Sequence, residues 1–330
     1  MPADLVSPAA GEFARLAEPL RGELLAHCYR VLGSVHDADD AVQETFVRAW
    51  QAYDRFDGRS SLRTWLYTIA TRACLRALEQ SKRRPLPSGI GSATDDPNAP
   101  IGAAAGDVPW LEPFPTGRDR ADPADVSERK ADVRLAFAAT LQLLPARQRV
   151  ALLLREVLDW SAAEIADPLQ TTPAGVNSLL QRARATLSQV QAQDVAEPDE
   201  SSLRCILDIY VRAFEQADVD ALRQVLTKDA VWEMPPYATW FTGRHRVVEF
   251  LRTRAGSPGD EIMVPTEANG QPAFACYQRS AADSRFEAHA IQVLTVTSAG
   301  ISSITSFMRP QLFPVFGLPE MLTQTDGAVR

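Results

Sequence analysis

Apolar residues recur at helical spacing through the first part of the chain, and beyond about residue 203 the pattern turns from helical to strand-like. Over 12–33, Phe13, Leu16, Leu20, Leu24, Leu25 and Cys28 form one broad stripe that Gly33 ends. In the next stretch Asp37 is the expected N-cap. Asp39, Asp40 and Glu44 suit a positive helix start, and Ala38, Ala41, Val42, Thr45, Phe46 and Ala49 make the inward stripe. A third helix, capped by Ser60 or Ser61, turns Leu62, Leu66, Ile69, Ala70, Ala73 and Ala77 inward and carries Thr68, Arg72, Arg76 and Arg83 on another face. Residues 12–84 therefore read as a compact all-α unit.

Helicity resumes at Asp125–Ser127, and Pro145 separates two helices. Ser161 with Glu164 three residues on has capping-box spacing, Pro168 stops that helix, and Thr172 caps the next with Pro173 at its first position. Val176, Leu179, Leu180, Ala183 and Leu187 then face inward, leaving Asn177, Ser178, Gln181 and Arg184 outside with Arg182 beside them. Two short helices, a tight turn and an Asn/Ser/Gln/Arg face make a helix-turn-helix pattern, in which Asn and Gln suit adenine and Arg suits guanine or phosphate. An ordinary helical hairpin is the plain alternative. Further on, helices are expected at 203–217, 219–227 and 244–254, and strands at 230–234, 262–268, 272–279, 286–297 and 301–309, with Asn269-Gly270 as a hairpin turn. Helices on one face of an antiparallel sheet give an α+β domain.

Charge sharpens this division. The protein carries a net charge of −8, yet Gly58–Arg84 holds seven Lys/Arg, including Lys82, against the single acid Glu79. Such a basic face, with a polar loop before it and Trp65 and Tyr67 nearby, suits a phosphate backbone and an unpaired base; a solvated amphipathic helix would look the same. Residues 85–128 are Pro/Gly-rich with eight acids and two Arg, and 191–202 hold four acids and no base, so both read as linkers. Trp110, Leu111 and Phe114 stand out in the first linker, suited to docking on this protein or on a partner, or to local collapse on a neighbouring domain. The four cysteines and four histidines are scattered, which indicates neither a disulfide framework nor a metal site. No apolar run approaches the ~20 residues of a membrane span, and no secretory signal is visible, so a cytoplasmic protein without membrane partners is expected.

The stretches DADDAVQETFVRAW, FDGRSSLRTWLYTIATRACLRAL, LPARQRVALLLREVLDWSAAEIA and TPAGVNSLLQRARATL resemble, in order and spacing, the two conserved domains of the sigma-70 family, extracytoplasmic-function subclass. Residues 203–310 resemble the SnoaL-like cone of the ketosteroid-isomerase type. The resemblance implies a multidomain chain: an all-α sigma region 2 (12–84), a linker (85–128), a helix-turn-helix sigma region 4 (129–190), a linker (191–202), an α+β SnoaL-like domain (203–310) and a tail (311–330). It implies that Asp40, Gln43 and Glu44 grip core RNA polymerase. The loop from Phe56 through Arg59, Ser60 and Ser61, with Arg63, Arg72 and Arg76, would melt and read the −10 element. Thr172, Asn177, Ser178, Gln181, Arg182 and Arg184 would read the −35 element. The first linker would thread the polymerase cleft. Pro168 and Leu169 stand where the family turns at a Gly, and basic charge exceeds acidic in 129–190 by only three, so this domain alone should bind DNA weakly.

The implied partners are the beta and beta-prime subunits of core polymerase, promoter DNA, and an anti-sigma factor unless the C-terminal domain replaces it. No cofactor, metal or catalytic residue is implied for the sigma domains. In the cone, Trp232, Glu233, Tyr237, Trp240 and His289 are pocket candidates, though a lone strand His is more often structural. The favoured function is a transcription initiation sigma factor, not an enzyme, with the cone as a cis regulatory module. A two-domain enzyme with a helical regulatory half and a helix-turn-helix repressor are the alternatives.

Overall fold

The structure, a computed structural model, describes residues 8–80, 83–116, 134–188, 196–280 and 285–322. Lys82 and the helix onset expected at Asp125–Ser127 lie outside the described residues. The chain divides into two compact units, Met1–Arg84 with Leu135–Gln191, and Pro85–Arg134 with Ala192–Arg330.

The first unit is helical: α1 (Pro8–Ala17), α2 (Arg21–Leu32), α3 (Val35–Ala52), α4 (Leu62–Gln80), α5 (Leu135–Leu141), α6 (Ala146–Glu156), α7 (Ala162–Ala166) and α8 (Pro173–Leu187). The single helix expected over 12–33 is broken by a 3₁₀ turn at Glu18–Leu20, where Pro19 has no N–H to continue the ladder. Gly33 ends α2 in the left-handed region at φ 72°. Ser34, not Asp37, caps α3: its hydroxyl accepts from the Asp37 N–H at 3.1 Å. Asp37 instead sits in the first turn and binds Arg84 at 2.5 Å. On α4, Ala77 is exposed and Ile69 half-buried, while Tyr67, Thr71 and Cys74 are buried. The helix packs against α2, α3 and α6, so its buried surface is wider than one stripe.

Arg149 of α6 is 3 % exposed and donates to the carbonyls of Leu141 (2.9 Å), Leu144 (3.1 Å) and Val31. A buried guanidinium needs such acceptors, and these tie α6 to α2.

The second unit centres on a mixed sheet in the order β2-β1-β6-β5-β4-β3, with β1 (Leu226–Glu233), β2 (Trp240–Thr242), β3 (Glu261–Ala268), β4 (Gln271–Arg279), β5 (Phe286–Thr297), β6 (Gly300–Phe307) and a short β7 (Met321–Leu322) beside β5. Strand β1 runs parallel to β6, so the sheet is not wholly antiparallel. Helices α9 (Glu200–Glu215), α10 (Val219–Val225) and α11 (Arg244–Arg252) accompany it. Asn269 and Gly270 take positive φ of 56° and 64° and turn β3 into β4, as the Asn-Gly pair requires. Tyr210, Trp232, Phe241, Phe250, Phe274 and Ile304 are among the buried core residues.

Candidate functional site

On α3, Asp40 and Gln43 are exposed and Glu44 half-buried. Burial alone would raise the Glu44 carboxyl, but the hydrogen bonds and charges of Arg76 (2.8 Å) and Arg48 (2.6 Å) outweigh it and hold it below the usual range. Val47 and Trp50 follow at helical spacing and are each 54 % exposed. They extend this polar face with an apolar surface, the mixed chemistry of a protein-binding patch. Reading α3 only for polar faces missed them; a Trp outside the inward stripe was the available signal.

The loop before α4 packs Phe56 on Trp65 at 4.8 Å between ring centroids. Ser61 caps α4 by accepting from the Thr64 N–H at 3.0 Å, while Ser60 stays exposed. Tyr67, expected beside Trp65 for stacking, is core: it is 2 % exposed, its ring lies under the Arg63 guanidinium, and burial pushes its hydroxyl well upward. Trp65, half-buried, is left for that role. Four arginines of this stretch meet a carboxylate of the chain: Arg59 with Asp57 (2.7 Å), Arg63 with Glu23 (2.9 Å), Arg72 with Asp167 (2.9 Å) and Arg76 with Glu44 (2.8 Å). Apart from Arg63–Glu23, whose carboxylate is mostly buried, these exposed pairs contribute about 0–1 kcal/mol each, so phosphates can displace the carboxylates.

Thr172 caps α8 by accepting from the Gly175 N–H at 3.1 Å, and Ser161 and Glu164 form a complete capping box on α7. Asn177, Ser178, Gln181, Arg182 and Arg184 are all exposed along α8. The turn before it places Gln170 in the left-handed region at φ 48°, so an ordinary residue takes the conformation that a glycine would supply without strain. Leu169 is 1 % exposed and its carbonyl accepts from Arg147 at 2.5 Å, which holds that turn.

In the second unit the linker is bound along its described length. Trp110, Leu111, Glu112 and Phe114 are buried. The Phe114 N–H donates to Asn269 Oδ1 (2.9 Å), the Asn269 N–H to the Phe114 carbonyl (2.7 Å), and Arg309 pairs with Glu112 (3.0 Å). Farther back, the Ser88 N–H donates to Glu233 (2.9 Å), Trp240 Nε1 to the Gly91 carbonyl (3.0 Å), and Arg254 to the carbonyls of Pro97 (3.1 Å) and Ala99 (2.9 Å). Trp110 and Phe114 are thus held by this protein itself and not left for a partner.

A cavity of about 220 Å³ opens inside the same unit, lined by Trp232 and His289 but not by Tyr237, Trp240 or Glu233. Trp240 and Glu233 are spent on the linker, while Tyr237 packs against the core. His289 is the extra residue of a β-bulge in β5, between the pairs Cys276–Ala290 and Tyr277–Ala288, and burial lowers its pKa. Among the described residues no helix is long and apolar enough to cross a membrane.

Residues 16–84 match the family profile "Sigma-70 region 2", 134–187 match "Sigma-70, region 4", and 208–304 match "SnoaL-like domain". The chain is 47 % identical over 319 residues to the ECF RNA polymerase sigma factor SigG of Mycobacterium tuberculosis, a match covering 94 % of this chain and 85 % of that one. It is 26 % identical over 325 residues to SigJ of the same organism, covering 95 % of this chain and 97 % of that one. The crystal structure of SigJ superposes with a TM-score of 0.63 at 23 % identity, covering 93 % of this chain and 99 % of that one, which shows a shared fold.

Proposed function

This chain belongs to the ECF RNA polymerase sigma factors, transcription initiation factors, and from that premise we propose how its named residues act and how its C-terminal domain governs them. The α3 face of Asp40, Gln43, Glu44, Val47 and Trp50 docks on core polymerase in the cytoplasm. Trp65 and the arginines of α4 hold melted −10 DNA, with stacking and phosphate contacts in place of base pairs. The outer face of α8 reads the −35 element through Gln181, Asn177 and Arg184. The chain catalyses no reaction of its own; strand opening follows from tighter binding to unpaired bases. The enzyme and repressor readings are not favoured, because the relatives matched over nearly the whole chain are sigma factors. A repressor would also leave the α3 face without a role.

The observation that carries the regulatory part is the linker's attachment to the C-terminal domain. A segment whose Trp110, Leu111 and Phe114 are buried there cannot thread a polymerase cleft at the same time. The domain therefore holds the linker back and lowers transcription until it lets go, taking the place of a separate anti-sigma factor. Run-off transcription with reconstituted core polymerase tests this with Arg254→Ala and Arg309→Ala, which cut linker contacts without touching α3, α4 or α8. Higher output than wild type is expected; unchanged output overturns the regulatory reading, and failure to join core polymerase overturns the binding assignments.

A further inference from the structure

Two turns set α7 and α8 against α6, and both pass through a left-handed residue that is not glycine. Asp159, between α6 and α7, has φ 51°, and Gln170, between α7 and α8, has φ 48°. Among the described residues of the helical unit, no other residue besides glycine takes a positive φ. The conformation costs an L-residue more than a glycine, and it costs Gln more than Asp. Such residues persist only where the surrounding structure holds them.

Both turns are held from α6, by an arginine on the adjoining carbonyl. Arg155 Nη1 donates to the Trp160 carbonyl (2.9 Å), just after Asp159, and Arg147 Nη2 to the Leu169 carbonyl (2.5 Å), just before Gln170. Trp160 and Leu169 are themselves buried, so each arginine grips backbone that its own side chain anchors. Arg147 stands in the first turn of α6, where the helix dipole disfavours a cation and an acceptor carbonyl offsets that cost. Arg184 of α8 is also tied to α6, through Glu156 (2.7 Å), but that tie breaks if Arg184 turns to DNA. The two arginine–carbonyl bonds use no residue that the proposed function places on DNA. Arg184 lies eleven residues beyond Pro173, about 16 Å along the axis, so a tilt of about 10° at the turn displaces it by about 3 Å. A hydrogen bond to a base edge does not survive that shift.

We propose that Arg147 and Arg155 are positioning residues for promoter selection: they clamp the turns on either side of α7 and so fix the direction in which α8 meets the −35 element. The proposal rests on the reading of α8 as the −35 helix. Neither arginine touches a base in it; both act through the turns.

The test uses holoenzyme made with the full chain and a promoter that wild-type holoenzyme selects from a library randomised at −35. Discrimination is the ratio of open-complex formation on that promoter to that on a single-base −35 variant of it. Arg147→Met should lower the ratio about threefold to tenfold, the loss of one hydrogen bond, and Arg155→Met about threefold, since Asp159 tolerates its conformation better. Adding Gln170→Gly should bring Arg147→Met back within about twofold of wild type, and Asp159→Gly should do the same for Arg155→Met. A glycine in the turn would rescue neither a phosphate contact nor a general support of the fold. If Arg147→Met alone does not fold, the double variant decides. A double variant that keeps the full loss, or that does not fold, overturns the proposal, as do single variants that discriminate like wild type. Equal weakening on both promoters, with a salt slope shallower by about one, assigns the arginine to a phosphate and overturns it too. Gln181→Ala separates this clamp from the reading beneath it. If Gln181→Ala also leaves discrimination unchanged, the −35 reading fails; if only the arginine variants do, the reading stands and the clamp falls.

Discussion

His27, Gln170 and Gln181 show three ways in which a single residue carries information. His27 is buried, its Nε2 lies 3.1 Å from Thr71 Oγ1, and burial, then the nearby Arg30, lowers its pKa to about 3. The unfolded chain takes up a proton near the ordinary histidine value of 6.5 and the folded chain does not, so stability is lost as pH falls from 6.5 towards 3. The slope from this residue is at most about 1.4 kcal/mol per pH unit. Denaturant unfolding at pH 7.5 and 5.5 should show a smaller difference in His27→Gln than in wild type. Gln170 holds a conformation that costs an L-residue more than a glycine, so Gln170→Gly should raise stability by about 0.5 kcal/mol in the same assay. Gln181→Ala should lose about 1–3 kcal/mol of discrimination at one −35 position while polymerase binding persists. Equal weakening on every promoter sequence would contradict base reading.

Among the elements, those with local instructions were legible. The caps at Ser61, Ser161 and Thr172, the stop at Pro168 and the Asn269-Gly270 turn each follow from chemistry within four residues. Misreadings arose where one local signal overrode another, and where contacts came from far along the chain. Pro19 broke the first helix into two, and the close join at Gly33 and Ser34 moved the cap of α3 three residues back from Asp37. Composition alone made the linker look free, because Pro, Gly and Asp are what solvated chain contains. Its attachment depends on Asn269, Arg254 and Arg309, which lie more than 150 residues away. Trp110→Ala should remove about 3–5 kcal/mol of docking energy. Hydrogen exchange over residues 85–116 should rise steeply while exchange in α2–α4 stays as it was; equal protection in both proteins would show that the strap is held by something else.

Within the molecule as a whole, the helical unit poses a problem of reach. The −10 and −35 elements are centred about 25 base pairs apart, or about 85 Å at 3.4 Å per step. A compact unit of about 130 residues is only about 35–40 Å across. Both surfaces proposed to bind DNA lie in one such unit, with Arg72 of α4 bound to Asp167 beside α7. Joining core polymerase should therefore part the two halves. Distance measurements between labels on α4 and α8 should lengthen from within about 40 Å to about 85 Å on forming holoenzyme. An unchanged distance would mean that the two faces never serve one promoter together.

The residue order by itself determined the helices, their caps, the strand hairpin, the exposed Asn/Gln/Arg face of α8 and the family likeness, because each depends on spacing within a turn or on motif order along the chain. The tertiary structure decided which carboxylate neutralises each α4 arginine, that Tyr67 is core, that the acidic linker is bound, and which candidates line the cavity. Those outcomes turn on partners distant in the chain, and the periodicity of a segment says only which side is apolar, never what will cover it.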